Sequence, residues 1–223
     1  MASEPVSPPN PVEPFAFHTE RHLVVLTGRK AKNLAELLEH LHKVSGASIF
    51  YHTHYLFLTH NFGKPRFYNE FANWASQALQ EEGLAERLTA IDLLAMTSIR
   101  DVRTAIITAV EKYLEDGRRL RECPPGDEFH FCEAKSFVSP TGQVAHNAQE
   151  LFEMVGRVTD ACLYFHFFQA RLRLERPTND FSIWLKKLGA PKLAQAVDRL
   201  NPYDVTLSEL REQISKIGRR LRP

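Results

Sequence analysis

The sequence predicts a mainly helical α+β protein in which one unit, a short β-hairpin followed by about five helices, occurs twice about a pseudo-twofold axis. Three observations predict it. Apolar residues recur at helical spacing over most of the chain. Period-two alternation is concentrated near Phe15 and again near Phe129. Finally, a shift of 114 in numbering lays residues 15–52 on residues 129–166 without a gap.

Thirteen of those 38 aligned positions are identical, among them Phe15/Phe129, Phe17/Phe131, Gly28/Gly142, Asn33/Asn147, Glu36/Glu150 and His52/His166. Unrelated sequences of average composition would share about two or three. Further on, a shift of 110 sets Asn69, Phe71 and Trp74 on Asn179, Phe181 and Trp184, with Glu70 opposite Asp180. A shift of 108 then sets Ser98 on Thr206, Asp101 on Glu209 and Arg103 on Arg211. Order, spacing and capping chemistry agree, which points to tandem duplication. The expected organisation is a disordered tail over 1–14, a first repeat over 15–115, a linker over 116–128 and a second repeat over 129–223.

The tail holds five prolines and almost no large apolar side chain, so burial cannot offset its ordering entropy. Phe15 to Leu26 alternates apolar with polar residues and reads as a half-buried strand. Thr27-Gly28 reads as its turn into a short return strand. Asn33 with Glu36 three residues on is a capping-box signal for a helix carrying Leu34, Leu37, Leu38 and Leu41. Ala47 to about His60 is hydrophobic almost all round and reads as a central helix. Gly63 and Pro65 mark a loop. Helices follow over 70–80, 84–91 and 99–114, the last opened by Ser98 and Asp101. The charged, proline-broken stretch before Phe129 is the linker over 116–128, and the same series then begins again.

Composition bounds the function. Charged residues make up 25% and the formal net charge is +1, so no global field recommends nucleic acid or an anionic membrane as a partner. The cationic end of the chain, nine Lys/Arg against four Asp/Glu from Lys186 to Pro223, suits a helix C-terminus. Three cysteines without a CxxC pair, and no secretory leader, fit a reducing cytoplasm. The longest apolar run falls short of the ~20 residues of a membrane span. No motif identifies a cofactor, and no phosphate loop, GxSxG elbow or HExxH sequence occurs.

The segments Tyr164–Arg173 (YFHFFQARLR), Arg176–Ser182 (RPTNDFS) and Asn201–Asp204 (NPYD) resemble an uncharacterised bacterial family of unknown function. The resemblance covers essentially the whole chain after residue 14 and implies no activity. The first repeat departs from the pattern: Phe57 and Thr59 stand where the second has Arg171 and Arg173.

The candidate ligand-binding residues are His166, Arg171, Arg173, Asn179 and Asp180, with His52, Asn69 and Glu70 as their counterparts. His166 and Arg173 are two helical turns apart on one face, and Asp180 could reach back to them once the chain reverses at Pro177. Desolvated together, the three could hold a small anion or do acid–base work. Against this, a histidine among aromatics is usually a satisfied core residue, and Asn69, Glu70, Asn179 and Asp180 stand where helix caps stand. His18, Glu20 and His22 alternate as metal ligands can, but Cys132, Ala134 and Ser136 replace them in the second copy, which favours a solvent-facing strand edge. The expected function is therefore a cytosolic, non-catalytic binding or interaction module for a small anionic ligand or a protein partner. The alternative is an enzyme with a single His/Arg/Asp site in the second repeat.

Overall fold

β1 (Phe15–Ala31) pairs antiparallel with β2 (Phe129–Ala145), a strand more than a hundred residues away. The structure, a computed structural model, describes residues 12–55, 58, 67, 69–116, 121–203 and 205–219. Residues 1–11, most of 56–66 (with Phe57 and Thr59), 117–120, Asp204, Arg220 and Arg222 lie outside the described residues, so expectations placed on them stop there.

The reversal expected at Thr27-Gly28 is absent; each strand runs on for 17 residues. Between the pairs Leu26/Cys132 and Lys30/His130, three residues of β1 face the single residue Phe131. Gly28 takes a φ of +75°, which lets the strand bulge there rather than turn, and the Thr27 hydroxyl donates to the Phe131 carbonyl at 2.7 Å. The other end of the ribbon has the same device. Gly142 sits at φ +77°, and Thr141 donates to the Phe17 carbonyl at 2.8 Å. A glycine with positive φ serves turn and bulge equally well, which is why the local sequence suggested the wrong one.

After each strand comes a capped helix. Asn33 accepts from the Glu36 amide at the start of α1 (Leu34–Lys43), while Glu36 reaches back to accept from Lys32 N–H, one residue before the cap, in a box-like reciprocal pair. α2 (Gly46–Phe50) widens into a π-helical turn over Tyr51–Tyr55 that carries His52 and His54. α3 (Glu70–Gln77), α4 (Glu82–Thr89) and α5 (Ile99–Glu115) follow. Beyond β2, α6 (Ala148–Val155) repeats the box with Asn147 and Glu150. α7 (Asp160–Tyr164) widens into a second π turn, Phe165–Gln169, and continues as α8 (Ala170–Leu174). α9 (Asp180–Lys187), α10 (Pro191–Asp198) and α11 (Leu207–Arg219) complete the described chain. The fold is thus mainly helical α+β, with a two-stranded antiparallel sheet. No described helix is long and apolar enough to cross a membrane.

Two hydrophobic cores result, and the strands lace them together. The first gathers Leu37, Leu41, Phe71, Val102, Ile106 and Val110 around Phe129 and Phe131, which come from β2. The second gathers Leu151, Val155, Phe181, Leu210 and Ile214 around Phe15 and Phe17, which come from β1. Fully burying one such phenylalanine contributes about 1.5–3 kcal/mol. A tryptophan indole fixes each strand entry: Trp74 N–H donates to the Asp127 carbonyl and Trp184 N–H to the Glu13 carbonyl, both at 2.7 Å.

Candidate functional site

His166 lies on the second π turn, almost fully buried against Phe15, Phe17 and Phe181. Its Nε2 accepts the backbone N–H of His18 at 2.8 Å, and its Nδ1 stands 2.8 Å from Asp180 Oδ2. A backbone amide can only donate, so Nε2 carries no proton and the neutral ring donates from Nδ1 to the carboxylate. Burial lowers the His166 pKa, the Asp180 carboxylate opposing it. Arg173 reaches the same Asp180 oxygen at 2.5 Å, its guanidinium lying over the Phe165 ring at 4.8 Å. The three residues therefore converge, with Arg173 at the surface end.

His52 is held in the same way. Nε2 accepts from Cys132 N–H at 3.0 Å, Nδ1 meets Glu70 Oε2 in a very short contact, and Phe71, Phe129 and Phe131 enclose the ring. No cation corresponding to Arg173 contacts Glu70 among the described residues. Both histidines thus have each ring nitrogen engaged, one on a carboxylate and one on the strand that crosses it.

The remaining candidates are placed elsewhere. Asn69 caps α3 by accepting from Ala72 N–H at 2.7 Å and donates to the Leu88 carbonyl. Asn179 caps α9 through Ser182 N–H at 2.9 Å and donates to Asp198. Arg171 turns away from Asp180 into the protein, donating to the Leu94 carbonyl at 3.1 Å and reaching the Pro177 carbonyl at 3.5 Å. Its Nε is buried without a partner, and burial lowers its pKa.

The His18/Glu20/His22 series departs most from expectation. The side chains of Glu20 and His22 are only 2% and 1% exposed, so they form an inward face and not a solvent-facing edge. Tyr55 and Phe50 pack on the His22 ring, the former with ring centroids 5.0 Å apart. Polar alternation on a strand normally marks the wet face; here helices cover it, which no local signal announces. Glu20 Oε2 lies 3.5 Å from His22 Nε2, beyond hydrogen-bonding reach, and both atoms are buried without a hydrogen-bond partner. Across the ladder, where His22 pairs with Ser136, Ser136 Oγ stands 3.0 Å from His22 Nδ1. Among the described residues no group of three or more His, Cys, Asp or Glu could hold a metal ion.

Ser136 also lines a groove of about 680 Å³ beside the second core, bordered by Phe50, Ile99 and Leu172 and by Lys135, Gln169 and Arg173. Glu133 borders it but is engaged by the Ser45 hydroxyl at 2.7 Å. The groove therefore combines an apolar floor with Lys135, with Arg173 (paired on its far side with Asp180), with the Glu133 carboxylate and with Ser136. Sequence reasoning found Arg173 but missed Ser136, whose significance depends on its cross-strand neighbour.

Compared with known proteins, residues 12–219 match the model of a family of unknown function, DUF5752. No curated protein matches. Among solved structures, the chain is similar to OrfY from Thermoproteus tenax, at 26% identity and a TM-score of 0.80, covering 94% of this chain and 96% of that one. That neighbour comes from an archaeon, outside the bacteria with which the resemblance was associated.

Proposed function

Since the chain belongs to DUF5752, a family of unknown function, we propose a function from its own geometry: a cytoplasmic binding module that holds a small anionic molecule in the groove beside its second core. The observation that carries this reading is the placing of Lys135 and Arg173 on one apolar-floored groove. The apolar floor of Phe50, Ile99 and Leu172 removes water from one side of a bound molecule, which strengthens its attraction to the two cations. Three free thiols, two of them buried, suit a reducing compartment. The candidate histidines serve this module as fasteners and not as reagents. The alternative of an enzyme built on His166, Arg173 and Asp180 has less support, since both nitrogens of His166 are engaged.

A tandem duplication about a pseudo-twofold axis is part of the proposal. Its support is contact for contact: His52 takes the Cys132 amide as His166 takes the His18 amide, and the partners differ by 114 in both members. Trp74 on Asp127 and Trp184 on Glu13, and the two threonine-bridged bulges, extend the correspondence.

Calorimetric titration with inorganic phosphate tests the reading. Wild type should bind, and Lys135→Met and Arg173→Met should each weaken binding about tenfold or more. Equal affinity in wild type and both variants would overturn it. A second reading, a protein-docking module, is favoured by exposed Leu23, Leu26, Phe137 and Val138 on the ribbon, each more than half exposed.

A further inference from the structure

We propose that Ser136, His22 and Glu20 form a nucleophilic relay that opens onto this groove and hydrolyses small acyl esters. The inference uses the groove of the preceding reading, takes only the anionic character of the ligand from it, and rests on different residues.

The geometry is that of a hydroxyl, an imidazole and a carboxylate in line. Ser136 Oγ is 3.0 Å from His22 Nδ1, and the other ring nitrogen, Nε2, lies 3.5 Å from Glu20 Oε2. Ser136 is exposed and lines the groove, while the side chains of His22 and Glu20 behind it are sealed from solvent. That is the order in which a nucleophile is made: an oxygen, a base touching it, and a buried carboxylate on the far side of the base, here 3.5 Å away and placed to receive the imidazolium N–H as charge develops.

The buried pair has no structural explanation on the strand itself. Glu20 is almost fully buried, yet Oε2 receives no hydrogen bond, and the same is true of His22 Nε2. Leaving such groups unsatisfied is costly. Where one β-ladder continues past this point, Ala134 occupies a buried place without polar atoms. A sheet thus does not require a carboxylate there. Burial also lowers the His22 pKa, with Glu20 opposing it, so the ring is neutral near pH 7 and Nδ1 is free to receive a proton.

The chemistry balances with water as the only co-reactant. Ser136 Oγ attacks the ester carbonyl carbon as its proton passes to His22 Nδ1, forming the Oγ–C bond. The imidazolium, facing Glu20, then gives that proton to the departing alkoxide as the C–O bond breaks, leaving an acyl-serine and an alcohol. Water attacks the acyl carbon and its proton goes to Nδ1; the Oγ–C bond breaks and the proton returns to Ser136. The products are the carboxylic acid and the alcohol. Gln169 lines the same groove and can donate to the charge that develops on the carbonyl oxygen; Arg173 also lines it, with its Nη2 on Asp180. The groove's volume suits an acid and alcohol of metabolite size.

The test uses the full chain and two uncharged probes, a fluorophosphonate read by intact mass and peptide mapping, and p-nitrophenyl acetate read by absorbance. Wild type should acquire one adduct, at Ser136, and release nitrophenol. Ser136→Ala should do neither. His22→Gln should slow both at least a hundredfold, as expected when a general base is removed. Glu20→Gln, which keeps the shape, should fall between them, and Ser139→Ala on the same strand should match wild type. Because Ser136 is exposed, its alanine variant should melt with wild type, and an equal melting temperature separates loss of the nucleophile from unfolding. No adduct on wild type, an adduct elsewhere, or an unchanged rate in His22→Gln overturns the relay. Neither probe is anionic, so a Ser136 adduct on wild type would leave the relay standing even if phosphate binding failed.

Discussion

The backbone N–H of Cys132 donates to Nε2 of His52 at 3.0 Å, joining residues 80 positions apart. The bond fixes the tautomer of His52, because Nε2 must accept and Nδ1 is left to donate to Glu70. His52→Phe would keep the ring and abandon both bonds, leaving a buried amide and a carboxylate unmatched. We expect a loss of about 2–4 kcal/mol in urea denaturation. A loss below 0.5 kcal/mol would mean that packing alone holds the crossing.

Acid should loosen the protein before the carboxylates titrate. Burial lowers the His166 pKa from 6.5, and lowers that of His54 to about 4. A histidine with a depressed folded pKa binds fewer protons folded than unfolded. Its contribution is therefore complete above pH 6.5 and is lost as pH falls from there through the folded value. Denaturation midpoints at pH 7.5, 6.0 and 5.0 should fall in that order. A flat profile across the three would contradict the neutral assignment.

Arg173→Met should have a modest effect on stability. Asp180 retains His166 as a partner when Arg173 is removed, and the Arg173 side chain is 43% exposed, so solvent screens the pair. The expected cost is about 1 kcal/mol, against the larger penalty a wholly buried carboxylate would bring. Asn179→Ala should cost at least as much, about 1–2 kcal/mol, through loss of the α9 cap, and should leave phosphate binding intact. Comparing the two variants separates scaffold from groove.

Gly218→Ala examines the packing of α11. A Cβ at position 218 would stand 2.3 Å from Phe152 Cβ and 2.5 Å from Cγ, which two packed helices cannot accommodate unmoved. Overpacking of this kind costs about 1–3 kcal/mol. A melting temperature equal to that of wild type would mean that α11 slides freely.

Legibility in the sequence follows the range of the interaction. Asn33, Asn147, Asn69, Asn179 and Ser98 all cap helices where their spacing predicted, because a cap is decided within four residues. The meeting of His166, Arg173 and Asp180 was also legible, being set by one helical face and one chain reversal. The partner of β1 was not. Thr27-Gly28 permits a reversal, and only the distant β2 makes continuation preferable. The burial of Glu20 and His22 was hidden for the same reason, and so was the path of Arg171 to the Leu94 carbonyl, 77 residues away. Ser136 could have been singled out only by knowing that it faces His22 across the ladder.

The lacing of the strands also sets a timetable for synthesis. Phe15 and Phe17 leave the ribosome about two hundred residues ahead of Ile214, which completes the core that receives them. At ~5–20 residues per second, they wait on the order of ten to forty seconds without their own hydrophobic surroundings. Until β2 has been made, for the first half or so of that interval, the nascent β1 is an unpaired strand, open to a chaperone or to β2 of a neighbouring chain on the same message. Two chains that trade strands at that moment would close all the same contacts between molecules, so a minor population of interlocked dimers should grow with expression rate and persist after purification.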